Sequence, residues 1–220
     1  MNDSTNHDSP PRRHWLTPNA GTRGPLDILN RGWLLLVVLM LIIVALGLCG
    51  EQGRTALRYQ RDAILDRHEY WRLLTAHLVH ANWQHVWLNL AGLALMVSLF
   101  RRCYSTLQWL GITLFGVLCI DVGFVLLMPQ LQWYVGLSGV LHGVLGAGAV
   151  AWWRIEDRRL TAVLWSILLG KLTWEQSHGA LPLSGELNVI VNAHLYGAIG
   201  GVVSGALATV TLMKRPPVAA

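Results

Sequence analysis

Residues 136–153 read GLSGVLHGVLGAGAVAWW, and no charge follows until Arg154. A stretch this apolar and this long reads as a helix that crosses a membrane. Its first residues are the exception. Ser138 stands at the start, and His142 follows by four residues, one turn away on the same helical face. At a helix N-terminus the backbone N–H is free and the dipole is positive, which suits a nucleophile whose intermediate is an anion. The same position also suits a structural N-cap serine.

Composition extends the membrane reading to the whole chain. Of 220 residues, 53% are hydrophobic and 13% charged, where a soluble domain carries about 25% charged residues. The net charge is +5, but the basic residues sit in short clusters at the ends of apolar runs. That pattern belongs to membrane topology and argues against nucleic-acid binding. Cys49, Cys103 and Cys119 lie in or beside apolar runs with no metal or redox spacing, so they read as small buried side chains.

Six apolar runs cover roughly 33–50, 76–100, 105–128, 138–153, 160–174 and 187–213, predicting an all-α, six-span bundle over 32–213. Residues 1–31 are polar and rich in Pro, Asn and Thr, a loosely ordered tail, and 214–220 form a second short tail. The first run, ending LGLC, has Leu48 where a lipoprotein cleavage box needs a small residue, and reads as an uncleaved span. Trp33, Trp133 and Trp174 mark interfacial belts. With the N-terminus inside, eleven Lys and Arg fall on the cytoplasmic side and six outside, so both termini are expected in the cytoplasm. The Arg-rich first loop, 51–75, is amphipathic and suits the outer leaflet.

Polar residues inside spans are costly and point to function by default. The second run, TAHLVHANWQHVWLNLAG, carries His77, His80, His85 and Asn89. His85 and Asn89 share a helical face, and two neutral donors in a dry site suit a developing oxyanion. Plain helix–helix hydrogen bonding is the simpler reading. A zinc site is disfavoured, because HExxH is absent and the histidine spacings do not share one face. The sixth run carries Asn192 and His194, with Gly197, Gly201 and Gly205 spaced by four, matching Gly139 and Gly143 in the fourth. Such ridges let helices approach closely, which would bring Ser138 and His194 together. Asp121 is the one carboxylate expected deep in a span, either hydrogen-bonded for structure or set against His142 or His194 to fix a tautomer. Arg72, beside Trp71, reads as an interfacial anchor.

Taken together, YWRLLTAHLVHANWQHVWLN, GLSG and NAHLYGAIGG resemble the rhomboid family of intramembrane serine proteases. The resemblance falls on Trp71 and Arg72; on His80, His85 and Asn89; on Gly136, Ser138 and Gly139; and on Ala193, His194 and Gly197, in order along about 32–213. It implies a dyad of Ser138 as nucleophile and His194 as general base, with the Ser138 N–H, His85 and Asn89 around the oxyanion. No carboxylate, cofactor or metal is required. The implied cut lies in the membrane segment of an anchored protein substrate near the outer face, with His77, His80 and Gln84 lining a water-filled cavity. Rhomboids often carry Tyr where His142 stands here. That SGVLHG variant resembles the rhombosortase subgroup of bacterial rhomboids, whose substrates end in a Gly-Gly, membrane-helix and basic-cluster tail. This implies a multi-pass protein of the bacterial inner membrane. Two other classes compete: a non-catalytic rhomboid-like protein that binds membrane clients, and a small transporter. The transporter would need internal repeats, and the sequence contains none.

Overall fold

The computed structural model describes residues 31–155, 158–180 and 189–213. The tails expected at 1–31 and 214–220 lie almost wholly outside the described residues, as does the Trp33 side chain. The first run forms α1 (Arg31–Leu48), and Gly50, at φ +61°, turns the chain through 114° into α2 (Gly50–Leu57). A positive φ is a conformation that glycine adopts without steric cost.

The first loop is a built structure. A strand β1 (Tyr59–Gln60) leads into α3 (Arg61–Leu65) and α4 (Trp71–Thr75), and β1 pairs antiparallel with β2 (Trp133–Tyr134). Arg72 is a hub rather than the interfacial anchor expected. It is buried, its Nη1 donates to the carbonyls of Thr55 and Arg58 at 2.8 and 3.0 Å, and its Nε donates to Glu69 at 2.6 Å. One guanidinium thereby satisfies backbone groups that a folded loop would otherwise strand. The same bond from Arg72, then that from Arg67, holds the Glu69 carboxyl below its ordinary range. Arg61 donates to the Phe124 and Val125 carbonyls, tying the loop to the next span.

The remaining helices are α5 (Trp83–Phe100), α6 (Thr106–Leu127), α7 (Ser138–Ile155), α8 (Arg158–His178) and α9 (Val191–Met213). The second run was expected from 76; its helix begins at Trp83, because the Asn82 side chain caps it by accepting from the His85 N–H. A capping box of Ser105 and Gln108 starts α6. Among the described residues, α5, α6 and α9 are each long and apolar enough to cross a membrane, and α1 with α2 makes a fourth if that bent pair counts as one. Glycine, tryptophan and histidine dilute α7, and α8 carries Lys171 and Glu175, so neither qualifies on apolarity alone. Large apolar side chains such as Leu41, Leu107, Leu126, Ile167 and Leu207 point outward, as they would toward lipid. Among the described residues the chain is a mostly helical, multi-pass membrane bundle.

The closest packing is between α7 and α9. A Cβ on Gly139 would lie 2.9 Å from the Ala193 carbonyl, and one on Gly143 would lie 2.9 Å from that of Gly197. Backbone meets backbone, as the glycine spacing led one to expect. In lipid no hydrophobic force drives helices together, so such close van der Waals contact supplies the attraction. Tyr104 donates across the seam to Ala147 and Gly205.

Candidate active site

Ser138 is the first residue of α7 and His194 the fourth of α9, so the glycine seam sets both at the same end of the bundle. The His194 Nε2 lies 2.9 Å from Ser138 Oγ. His142, one turn beyond the serine, does not take that place. Its Nδ1–H donates to the Ser138 carbonyl at 2.7 Å, and its ring stacks on His194 with centroids 4.1 Å apart and planes 16° from parallel. A flat stack on one side and a hydrogen bond at the edge leave the His194 ring little rotational freedom.

The Nδ1 edge of the His194 ring meets a residue that sequence reasoning missed. Glu175 of α8, 2% exposed, accepts from His194 Nδ1 at 2.8 Å and is paired with Lys171, whose Nζ is 3.5 Å from the same ring nitrogen. The fifth apolar run was closed at 174, one residue short of it. The available signal was Lys171 and Glu175 at i and i+4, facing each other near the end of a span. Of the two readings open for Asp121, a structural carboxylate or one set against His142 or His194, the second is not found. It is buried, but its Oδ1 faces His77 Nε2 at 3.5 Å. The physical reason is the turn before Asn82, which folds His77 back against α6 and Tyr134.

Gly136 takes φ +122°, and a Cβ there would come within 2.6 Å of the His85 ring. The glycine therefore leaves room for His85 beside the start of α7. His80 meets His85 edge-on at 4.9 Å, and Asn89 donates to the His85 carbonyl at 2.9 Å while its Oδ1 is buried without a partner. His85, Asn89, Ser138, His142, Glu175 and His194 all line one cavity of about 330 Å³. A second, of about 390 Å³, runs from His85 past Gln130 and Gln132. Of the residues expected to wall the cavity, His77 and His80 are buried and Gln84 is exposed, and none of the three lines either of these two spaces. His142, Glu175 and His194 offer ligand atoms within 4.8 Å of one another, a donor set that could hold a metal ion, though the Lys171 ammonium already stands on the carboxylate.

This arrangement can do a defined piece of chemistry. An ionised Glu175 can only accept from Nδ1–H, which leaves the Nε2 lone pair toward the serine hydroxyl. That hydroxyl lies at a helix N-terminus, where a developing negative charge is stabilised. Compared with known proteins, the chain matches no curated protein, but residues 67–210 match the Rhomboid domain. That match runs from the first loop, past Arg72, through Ser138 and His194 into the last helix. The chain thus belongs to the rhomboid family, whose members are intramembrane serine proteases.

Proposed function

We propose that this protein is an intramembrane serine endopeptidase of six spans that cuts the membrane segment of anchored protein substrates near the outer face. Ser138 is the nucleophile and His194 the general base. The observation that carries this is the 2.9 Å contact between Ser138 Oγ and His194 Nε2 in a chain of a protease family. The hydroxyl proton passes to Nε2 as Oγ bonds to the scissile carbonyl carbon, and the carbonyl electron pair moves onto oxygen. The Ser138 N–H, His85 and Asn89 surround that oxyanion, and water enters through the two cavities that share His85. His142 in place of the commoner tyrosine, keeping a ring stacked on the base, supports a rhombosortase acting on Gly-Gly C-terminal anchors, in a bacterial inner membrane with both termini cytoplasmic.

The test uses the full chain in detergent or liposomes, a fluorophosphonate probe and a substrate with a Gly-Gly, membrane-helix and basic tail. Ser138→Ala and His194→Ala should each lower cleavage by about 10³-fold or more, and labelling should vanish in Ser138→Ala. Persistent labelling of Ser138→Ala removes the nucleophile assignment. A folded wild type that takes up no probe but retains client proteins would favour the binding-only rhomboid.

A further inference from the structure

The Glu175 carboxylate is 2% exposed beside the site cavity, and a group so enclosed is stable only when its charge is matched and its oxygens are used. Both conditions hold: one oxygen accepts from His194 Nδ1 at 2.8 Å, and the other is paired with Lys171. Lys171 and Glu175 stand one turn apart on α8, while the base lies on α9 and the nucleophile on α7. A purely structural ion pair needs no third partner, yet this one ends on the ring nitrogen opposite the one that faces Ser138.

We propose, building on the Ser138 and His194 assignment, that Glu175 is a positioning residue that completes a Ser–His–Glu triad inside the bundle, with Lys171 orienting its carboxylate. Glu175 holds the Nδ1–H tautomer, so the Nε2 lone pair faces the serine. When Nε2 takes the Ser138 proton, the imidazolium charge forms 2.8 Å from a fixed anion, and no solvent has to reorganise. Glu175 itself keeps its charge. Nε2–H then protonates the leaving amide nitrogen as its C–N bond breaks, which returns His194 to its starting form and leaves the acyl group on Ser138. A water molecule repeats the sequence, giving its proton to Nε2 and its oxygen to the acyl carbon, and Ser138 recovers its proton as the ester bond breaks.

Lys171 makes a sharper test possible. Its ammonium only donates, so in Glu175→Gln it claims the amide oxygen and turns the amide NH₂ toward Nδ1. That forces the wrong tautomer. Glu175→Gln should lower kcat by about 10²–10⁴-fold with KM within about threefold, and should be worse than Glu175→Ala. Adding Lys171→Met to Glu175→Gln frees the amide oxygen for Nδ1–H, and should restore at least about tenfold of the lost kcat. Each variant is compared at equal amounts of folded, monodisperse protein. Should the variants not fold, ¹⁵N-histidine NMR of the wild type serves, with the His194 signals identified by their loss in His194→Ala. The expected result is a protonated Nδ1 and a bare Nε2. Wild-type kcat in Glu175→Gln beside a dead Ser138→Ala sinks the triad and leaves the dyad standing, as does a protonated Nε2 in the wild type. Activity in Ser138→Ala instead removes the reading beneath both.

Discussion

Gly136 occupies two constraints at once: a φ of +122° and a space that the His85 ring needs. Alanine there meets both. The backbone conformation costs about 1–3 kcal/mol for any residue with a Cβ, and the methyl pushes His85 away from the start of α7. If His85 is an oxyanion donor, Gly136→Ala should cost about 10²–10³-fold in kcat, the value of one such donor, and His85→Ala should cost a similar amount. The double variant should then lose little beyond either single change, because both remove one interaction. Steady-state cleavage by the three purified proteins checks this, and multiplicative losses would separate the glycine from His85. The residues named by short sequence strings, Ser138, His194, His85 and Asn89, were legible because each is a polar side chain where lipid or tight packing should forbid one. Glu175 was not. It sits at the polar end of its helix, where a carboxylate usually means solvent, and only the tertiary approach of α9 makes it a buried partner. Asp121 stayed open between two readings because depth in a span does not say which partner a carboxylate meets, and that partner is His77.

At the scale of elements, the site depends on how closely two helices touch. Ser138 and His194 are on separate helices that meet backbone to backbone along the seam of Gly139, Gly143, Gly197 and Gly201. The pairing of these ridges was readable from the spacing of four. The start of α5 and the tied first loop were not, since they depend on one cap and on Arg72 reaching carbonyls 14 and 17 residues away. A valine at 143 would press on the Gly197 carbonyl, and neither backbone can move aside. Overpacking of this kind costs about 1–3 kcal/mol. Gly143→Val should therefore lower the melting temperature and abolish probe labelling although Ser138 and His194 remain. Gly111, in α6, has no atom near a would-be Cβ, so Gly111→Ala should stabilise the helix by up to about 1 kcal/mol with activity intact. Thermal unfolding in detergent with parallel labelling measures both. A Gly143→Val protein that melts and labels like wild type would mean the seam does not hold the dyad.

Across the whole molecule, the position of the site fixes which side of the membrane the chemistry serves. Ser138 and His194 lie in the first turns of α7 and α9, at the end of the bundle where the first loop is tied by Arg61 and by the Gly136 N–H bonded to the Ala76 carbonyl. With both termini cytoplasmic, as proposed from the Lys and Arg distribution, that end faces outside, so orientation decides where the substrate is cut. The native cysteines report on it. Cys49 is exposed at the bend between α1 and α2, on the side of the first loop, whereas Cys103 is half-buried in the turn between α5 and α6 at the opposite end. Cys119 is also half-buried but lies within the α6 span, beside Gly200 of α9, where a membrane-impermeant reagent does not reach. In single-cysteine variants, made by replacing the other two with serine, a membrane-impermeant maleimide should label Cys49 in cells whose outer barrier is opened but whose inner membrane is intact. Cys103 should label only after that membrane is permeabilised, and Cys119 only after denaturation. The reverse order for Cys49 and Cys103 would place Ser138 toward the cytoplasm and move the proposed cleavage to the inner face.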